Sequence, residues 1–145
     1  MYKNLSEFIS LLEGQGELLR VKAHVDPELE IAEITDRMSK SPGGGKALLF
    51  ENTGTGFPVL TNMFGSDMRI SLALGVGRLD ELTDRLDEIF KKVLSPKNGL
   101  ADKMALLPLL GEVSRWMPKQ TRGHGECQQV VLTGANAKLS MLPIL

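Results

Sequence analysis

The sequence predicts an α/β (α+β) fold, a small mixed sheet flanked by helices, and three observations carry that prediction. Apolar residues recur at helical spacing in some windows and alternate with polar ones in others, and the two patterns take turns along the chain. Glycines and prolines, 15 and 7 of them, cluster at the joins. With 145 residues, 42% hydrophobic and 24% charged, the chain can bury one ordinary core and is unlike a disordered polypeptide.

The first helix is announced by Asn4 and Glu7, an N-cap acceptor with a carboxylate reaching back. Leu5, Phe8, Ile9 and Leu12 follow at helical spacing, and Gly14 or Gly16 ends the run. From Leu19 the period becomes two. Leu19, Val21, Ala23 and Val25 alternate with Arg20, Lys22 and His24, as in a half-buried strand. Asp26-Pro27 predicts a second helix, with Asp26 as cap, Pro27 in its first position, and Leu29, Ile31, Ala32, Ile34 and Met38 as its apolar stripe. Ser41-Pro42-Gly43-Gly44-Gly45 breaks it. Ala47–Phe50 reads as a buried strand, Asn52–Gly56 as a turn, and Val59-Leu60 as a second strand, so a hairpin or neighbouring pair is expected.

Ser66 or Asp67 caps a helix carrying Ile70, Leu72 and Leu74. Asp80 caps the clearest helix, whose face is Leu82, Leu86, Ile89, Phe90 and Val93, and Ser95-Pro96 stops it. Leu100–Leu110 reads as helical up to Pro108, Arg115–Gly125 as a linker, and Gln129–Thr133 as a fresh strand. The composition shift places a domain boundary near residue 120.

Several function classes drop out on composition. A net charge of −1 gives no basic excess for neutralising phosphates, so no nucleic acid is expected. One cysteine, Cys127, forms no disulfide framework and fits a reducing, cytoplasmic setting. The start MYKNLSEF is no signal peptide, and no apolar run reaches membrane-spanning length.

The motifs that carry chemistry elsewhere fail here on spacing. Pro42-Gly43-Gly44-Gly45-Lys46 has Lys40 where a phosphate loop needs its first glycine, and Ala47 where it needs Ser or Thr. Gly75-Val76-Gly77 and Gly54-Thr55-Gly56 lack the third glycine of a dinucleotide fingerprint. His124, Glu126 and Cys127 resemble part of a zinc deaminase set, but the Pro-Cys-x-x-Cys pair that would hold the metal is missing; a linker histidine and a small buried thiol account for them. His24 reads as a surface residue. Asp26, Glu28 and Glu30 are explained by capping and the helix dipole. The charged face from Asp80 to Lys92 is a solvated one with i, i+4 pairs such as Asp87–Lys91. Arg69, Arg78, Arg115 and Arg122 can each meet an anion, but the sequence gathers them into no pocket, and Trp116 is read as packing the linker. No catalytic constellation emerges.

The order of the blocks nevertheless resembles one family. Leu5-Ser6-Glu7-Phe8-Ile9, Gly16–Val21 and Val25–Ile34 are followed by Lys40–Gly45, Ala47–Asn52, Phe57–Leu60 and Asn62–Ser66. Arg69, Leu72–Gly75, Cys127–Leu132 and Leu139–Leu145 complete a series that is similar to the UbiD-type carboxy-lyases. The resemblance implies an N-terminal α/β domain over residues 1–120, then a linker and the first strand of a split-barrel cofactor-binding domain over 121–145. It implies a non-oxidative decarboxylase of an aromatic acid, first of all a 3-polyprenyl-4-hydroxybenzoate of quinone (ubiquinone) biosynthesis. Another aryl or α,β-unsaturated acid is the alternative, and a non-catalytic interaction or assembly module or a nucleotide-binding domain are the rivals.

The family's cofactor is prenylated FMN, supplied by a flavin prenyltransferase and held with Mn²⁺ and K⁺; its ring acts as an electron sink while CO₂ leaves. A homo-oligomer is implied, and a lipophilic substrate suggests peripheral membrane association. The family's Glu-Arg-Glu catalytic set and its Asn, His and Glu metal ligands fall after Leu145. No catalytic, cofactor-binding or metal residue is therefore assigned to this chain, and the segment alone is expected to hold no flavin and to be inactive. Gln129–Thr133, left without its barrel, is expected to be disordered, to fold back, or to pair with another copy.

Overall fold

A computed structural model describes residues 2–95, 99, 104, 106–115, 117–118, 120, 122–143 and 145. The chain divides into two compact units, Met1–Leu79 with Lys138–Leu145, and Asp80–Ala137.

In the first unit, helix α1 (Leu5–Gly14) starts at Asn4, whose side chain accepts from the Glu7 amide at 3.0 Å. The Glu7 carboxylate reaches back one residue further than a capping box requires, to the Lys3 amide at 2.9 Å. Strand β1 (Leu18–His24) leads through helix α2 (Glu30–Ser39) to strand β2 (Ala47–Asn52). β1 and β2 run parallel, with Leu18 opposite Ala47 and Val21 opposite Phe50. Strand β3 (Val59–Thr61) returns antiparallel to β2, with Phe50 opposite Val59, so the sheet is mixed and ordered β1-β2-β3. Helix α3 (Asp67–Leu74) is capped by Ser66 and closed by Gly75 at φ 68°, where a side chain is disfavoured.

Alternation along β2 splits the core between the two sheet faces. Leu48 and Phe50 pack with Val25 and with Ile31, Ile34 and Met38 of α2. Ala47 packs with Phe8 and Leu12 of α1 and with Leu72 and Ala73 of α3. Two thin cores therefore hold three layers.

Helix α2 begins later than Asp26-Pro27 predicts. Residues 26–29 form a turn instead: the Asp26 carboxylate accepts from the Glu28 amide at 2.8 Å, and the Glu30 amide bonds the Glu28 carbonyl around Leu29 at φ 72°. That geometry turns Leu29 out of the predicted stripe and leaves it 77% exposed.

The second unit holds helix α4 (Asp80–Leu94) and helix α5 (Leu107–Ser114). Asp80 lies within the first turn of α4 rather than before it. Pro108 opens α5 instead of ending a helix, because a first-turn proline loses no intrahelical hydrogen bond. The rest of the predicted Leu100–Leu110 helix lies partly outside the described residues, as do Pro96 and Trp116. Gln129–Thr133 is not a strand. It runs between 3₁₀ turns at Glu126–Gln128 and Gly134–Asn136, and among the described residues no neighbouring strand supplies a ladder. Val130 and Val131 are exposed there. Among the described residues no helix is long and apolar enough to cross a membrane.

Candidate functional site

The glycine turn after α2 is where the first unit places its fully buried charged side chain, Arg69. Pro42–Gly44 makes a 3₁₀ turn that passes against the start of α3. A Cβ on Gly44 would sit 1.7 Å from the Gly65 carbonyl oxygen, and one on Gly65 would sit 2.0 Å from the Asn62 side-chain oxygen. The first approach, backbone against backbone at a positive φ, requires glycine, and a side chain at Gly65 would push the Asn62 amide from its place.

Two side chains tie these backbones together. Asn62, itself at φ 51°, donates its amide to the Gly44 and Lys46 carbonyls at 2.7 and 2.9 Å. Arg69 is fully buried in α3. One guanidinium nitrogen, Nη1, donates to Glu17 Oε2 at 2.7 Å and to the Gly45 carbonyl at 2.6 Å, and Nη2 reaches the Gly44 carbonyl at 3.2 Å. Its Nε has no hydrogen-bond partner. A planar fork suits this task, since it serves a carboxylate and two carbonyls at once. Glu17 in turn accepts the Ala47 amide through its backbone oxygen at 2.9 Å, so the knot joins β1, the glycine turn, β2 and α3.

Beside the knot lies a cavity of 410 Å³ lined in part by Glu17, Gly43, Gly45, Lys46 and Ser66. The chemistry of this wall is limited. Arg69 is consumed by the fold and presents no charge to an anion, and the turn's carbonyls point to Asn62 and Arg69. A second groove of 410 Å³ between α1 and the sheet has Ile9, Leu49 and Pro58 as apolar floor, with Ser6, Ser10, Arg20 and Glu51 at its rim. Arg20 donates to Glu13 at 2.7 and 2.9 Å and to Glu51 at 2.5 Å. Those bonds hold Glu13 below the usual carboxylate range and push Arg20 further up.

Of the four arginines weighed in the sequence, only Arg69 joins the knot, while the Pro42–Lys46 run beside it supplies the carbonyls that Arg69 and Asn62 hold. Arg78, Arg115 and Arg122 are exposed. Asp26 and Glu30 accept from backbone amides of the turn before α2, and Asp26 does not cap the helix as expected, since α2 has no side-chain cap. His24 and His124 are exposed, and so is Cys127, contrary to the expected buried thiol; a 3₁₀ turn at Glu126–Gln128 without a core beside it turns the sulfur outward. The in-helix pair on α4 is Glu88–Lys92 at 3.8 Å rather than Asp87–Lys91. Among the described residues no three His, Cys, Asp or Glu side chains come together as a metal site. Each cavity has one carboxylate in its lining, Glu17 or Glu51, fewer than the several oxygen ligands that a divalent ion takes. The Arg69–Glu17 pair was hidden from the sequence by its separation of 52 residues. Asn62 left one signal, a turn-compatible residue just after an apolar pair.

Comparison with known proteins places these features. The family model of the 3-octaprenyl-4-hydroxybenzoate carboxy-lyase N-terminal domain (UbiD_N) matches residues 9–89. An uncharacterized protein of Aquifex aeolicus (strain VF5) is 46% identical over 145 residues, which is 99% of this chain and 29% of that protein. Among solved structures, the vanillic acid decarboxylase of Sedimentibacter hydroxybenzoicus in closed form is 32% identical with a TM-score of 0.55, covering 68% of this chain and 21% of that one. An open form of the same enzyme is 33% identical with a TM-score of 0.52, covering 63% and 20%. The chain thus spans a minor part of each relative. Every residue of the knot lies inside the matched 9–89 segment.

Proposed function

The chain belongs to the UbiD family, to which its N-terminal domain model assigns it, and on that premise we propose that it is the first domain of a carboxy-lyase. The whole enzyme removes CO₂ non-oxidatively from an aromatic acid. The observation that carries this reading is the family match over residues 9–89, which contains the whole sheet and the Arg69 knot. The substrate proposed first is a 3-polyprenyl-4-hydroxybenzoate of quinone biosynthesis. Another aryl or unsaturated acid is the second reading, favoured by the likeness to a vanillic acid decarboxylase.

In this reading residues 1–120 are the N-terminal domain, and 121–145 lead into the domain that holds the cofactor. Prenylated FMN, made by a partner flavin prenyltransferase and held with Mn²⁺ and K⁺, would supply an electron sink for the electron pair that departing CO₂ leaves on the substrate. Acid, base and metal ligands are assigned to the polypeptide that follows in longer relatives. The role left to this chain is mechanical: the knot fixes the glycine turn and α3 so that the domain presents a rigid wall. The full enzyme is a cytoplasmic homo-oligomer that meets a lipophilic substrate at the membrane surface.

The test pairs two polypeptides, this chain and a longer one that continues to the relatives' length, each supplied with prenylated FMN, Mn²⁺ and K⁺. CO₂ release is measured with a polyprenylated 4-hydroxybenzoate, vanillate and a panel of aryl acids. Turnover by the longer polypeptide alone is expected, and the best acid identifies the substrate class. Turnover by the 145-residue chain would overturn the assignment of the chemistry to the following domain. Failure of the longer, flavin-loaded polypeptide on every acid would overturn the carboxy-lyase reading.

A further inference from the structure

Helix α4 carries an apolar strip that no described residue of its own unit covers. Leu86, Phe90, Val93 and Leu94 recur at i, i+4, i+7 and i+8, on one side of the helix. They are 44%, 58%, 51% and 78% exposed, and no described residue between Asp80 and Ala137 is buried. A strip of this kind in water marks a contact surface.

The charges bordering the strip say what covers it. At 100° per residue, Asp87 and Lys91 lie on the outer border, beyond Phe90 and Leu94. The nearby in-helix pair is Glu88–Lys92, and neither Asp87 nor Lys91 has an ion-pair partner among the described residues. If a second α4 is laid antiparallel, with Leu86 of each copy opposite the partner's Phe90, Asp87 of each copy comes beside the partner's Lys91. The pairing is reciprocal, as a two-fold interface requires. It also sets the acidic first turns, with Asp80, Glu81 and Asp84, against the basic last turn with Lys91 and Lys92, and opposes the two helix dipoles. A parallel arrangement would place like charge beside like. A lipid surface fits less well, because α4 carries five acidic side chains against three basic ones, the opposite of a helix that lies on anionic membranes.

We propose that the apolar strip of α4 is a self-association surface, on which two copies of this chain pair antiparallel through Leu86, Phe90, Val93 and Leu94 with reciprocal Asp87–Lys91 ion pairs. One helix from each copy is a small interface, so the dimer is a weak one and forms in the ~1 µM to ~1 mM range. This proposal does not rest on the carboxy-lyase reading and concerns residues outside the knot.

Sedimentation equilibrium of the 145-residue chain across that range tests it. The expected result is a reversible monomer–dimer equilibrium. Phe90→Asp, at an exposed position, should leave the helical circular dichroism unchanged and shift dissociation at least ~100-fold, so that the apparent mass stays that of a monomer. Lys91→Glu should weaken the dimer, by setting Glu beside the partner's Asp87, and Asp87→Lys should do the same. The double variant Asp87→Lys/Lys91→Asp should recover wild-type association, which non-specific stickiness would not do. A wild-type chain that stays monomeric throughout overturns the proposal and leaves the strip to another occupant, such as the polypeptide that follows in longer relatives. A dimer indifferent to Phe90→Asp, or single charge reversals that the swap fails to rescue, overturns it as well.

Discussion

The two compact units use the same kinds of residue to different ends. The unit of residues 1–79 and 138–145 places Leu12, Ile31, Leu48 and Phe50 at or near zero exposure, on both faces of a three-stranded sheet. The unit of residues 80–137 contains the chain's most regular amphipathic helix, yet Phe90 remains more than half exposed. Amphipathic patterning records that a face is meant to be covered; it does not say that the cover lies within the same unit. A sheet gives a helix that cover, because its pleat offers two faces within a few residues of chain. Among the described residues of their own unit, helices α4 and α5 have no such surface.

Matched truncations in the two units give the largest contrast. Phe50→Ala should cost about 3–5 kcal/mol, for lost transfer energy plus the cavity left behind. Phe90→Ala should change the stability of the monomer by no more than about 0.5 kcal/mol, since the ring is already wet. Urea titration of each variant, read by far-ultraviolet circular dichroism at low protein concentration, decides the matter. Similar losses for both would mean that α4 is covered in solution after all.

The knot sharpens the comparison, since the first unit spends a buried cation where the second has none among its described residues. Arg69→Met should destabilise the first unit by about 3–5 kcal/mol, because Glu17 and two half-buried carbonyls lose their donor together. Adding Glu17→Gln to Arg69→Met should return part of that loss, since the orphaned carboxylate is then gone. Gly44→Ala should cost roughly 2–4 kcal/mol, through its positive φ and the clash with the Gly65 carbonyl. Hydrogen exchange localises these effects: amides of β2 and α3 should lose protection in both variants while those of α4 stay as they were.

These elements differ in how far the sequence disclosed them. Asn4, Ser66 and Gly75 act locally, so a cap could be read from residues three or four positions away. The buried run of β2 and the hairpin to β3 were legible for the same reason. The α2 start was misread because Asp26-Pro27 caps a turn as readily as a helix, and only the strained Leu29 decides between them. Gln129–Thr133 has strand-like side chains, but a strand exists only with a neighbour, which no local pattern supplies. The knot was the hardest case. Arg69 looks like three other arginines in the sequence, and its identity as the buried one follows from Glu17, Gly44 and Gly45 arriving from distant parts of the chain.

The smallest expected effect lies on the surface of the first unit and separates exposed from buried charge. Arg20 joins Glu13 of α1 to Glu51 of β2, and its hydrogen bond holds Glu13 below the ordinary carboxylate value. A carboxylate lowered in the fold contributes stability that is fully present above its unfolded value near 4.5 and is lost as pH falls through the folded one. Glu13→Gln should therefore lower the urea midpoint slightly at about pH 7 and not at all at about pH 2, where the wild-type carboxyl is itself neutral. Because both partners are solvated, raising salt to about 1 M should shrink the difference at neutral pH. The Arg69–Glu17 pair, with its cation sealed from solvent, should keep its effect at that salt concentration. A Glu13→Gln deficit that persists unchanged in acid, or that ignores salt as the Arg69→Met deficit does, would show that the Arg20 clamp stabilises through packing of its stem and not through charge.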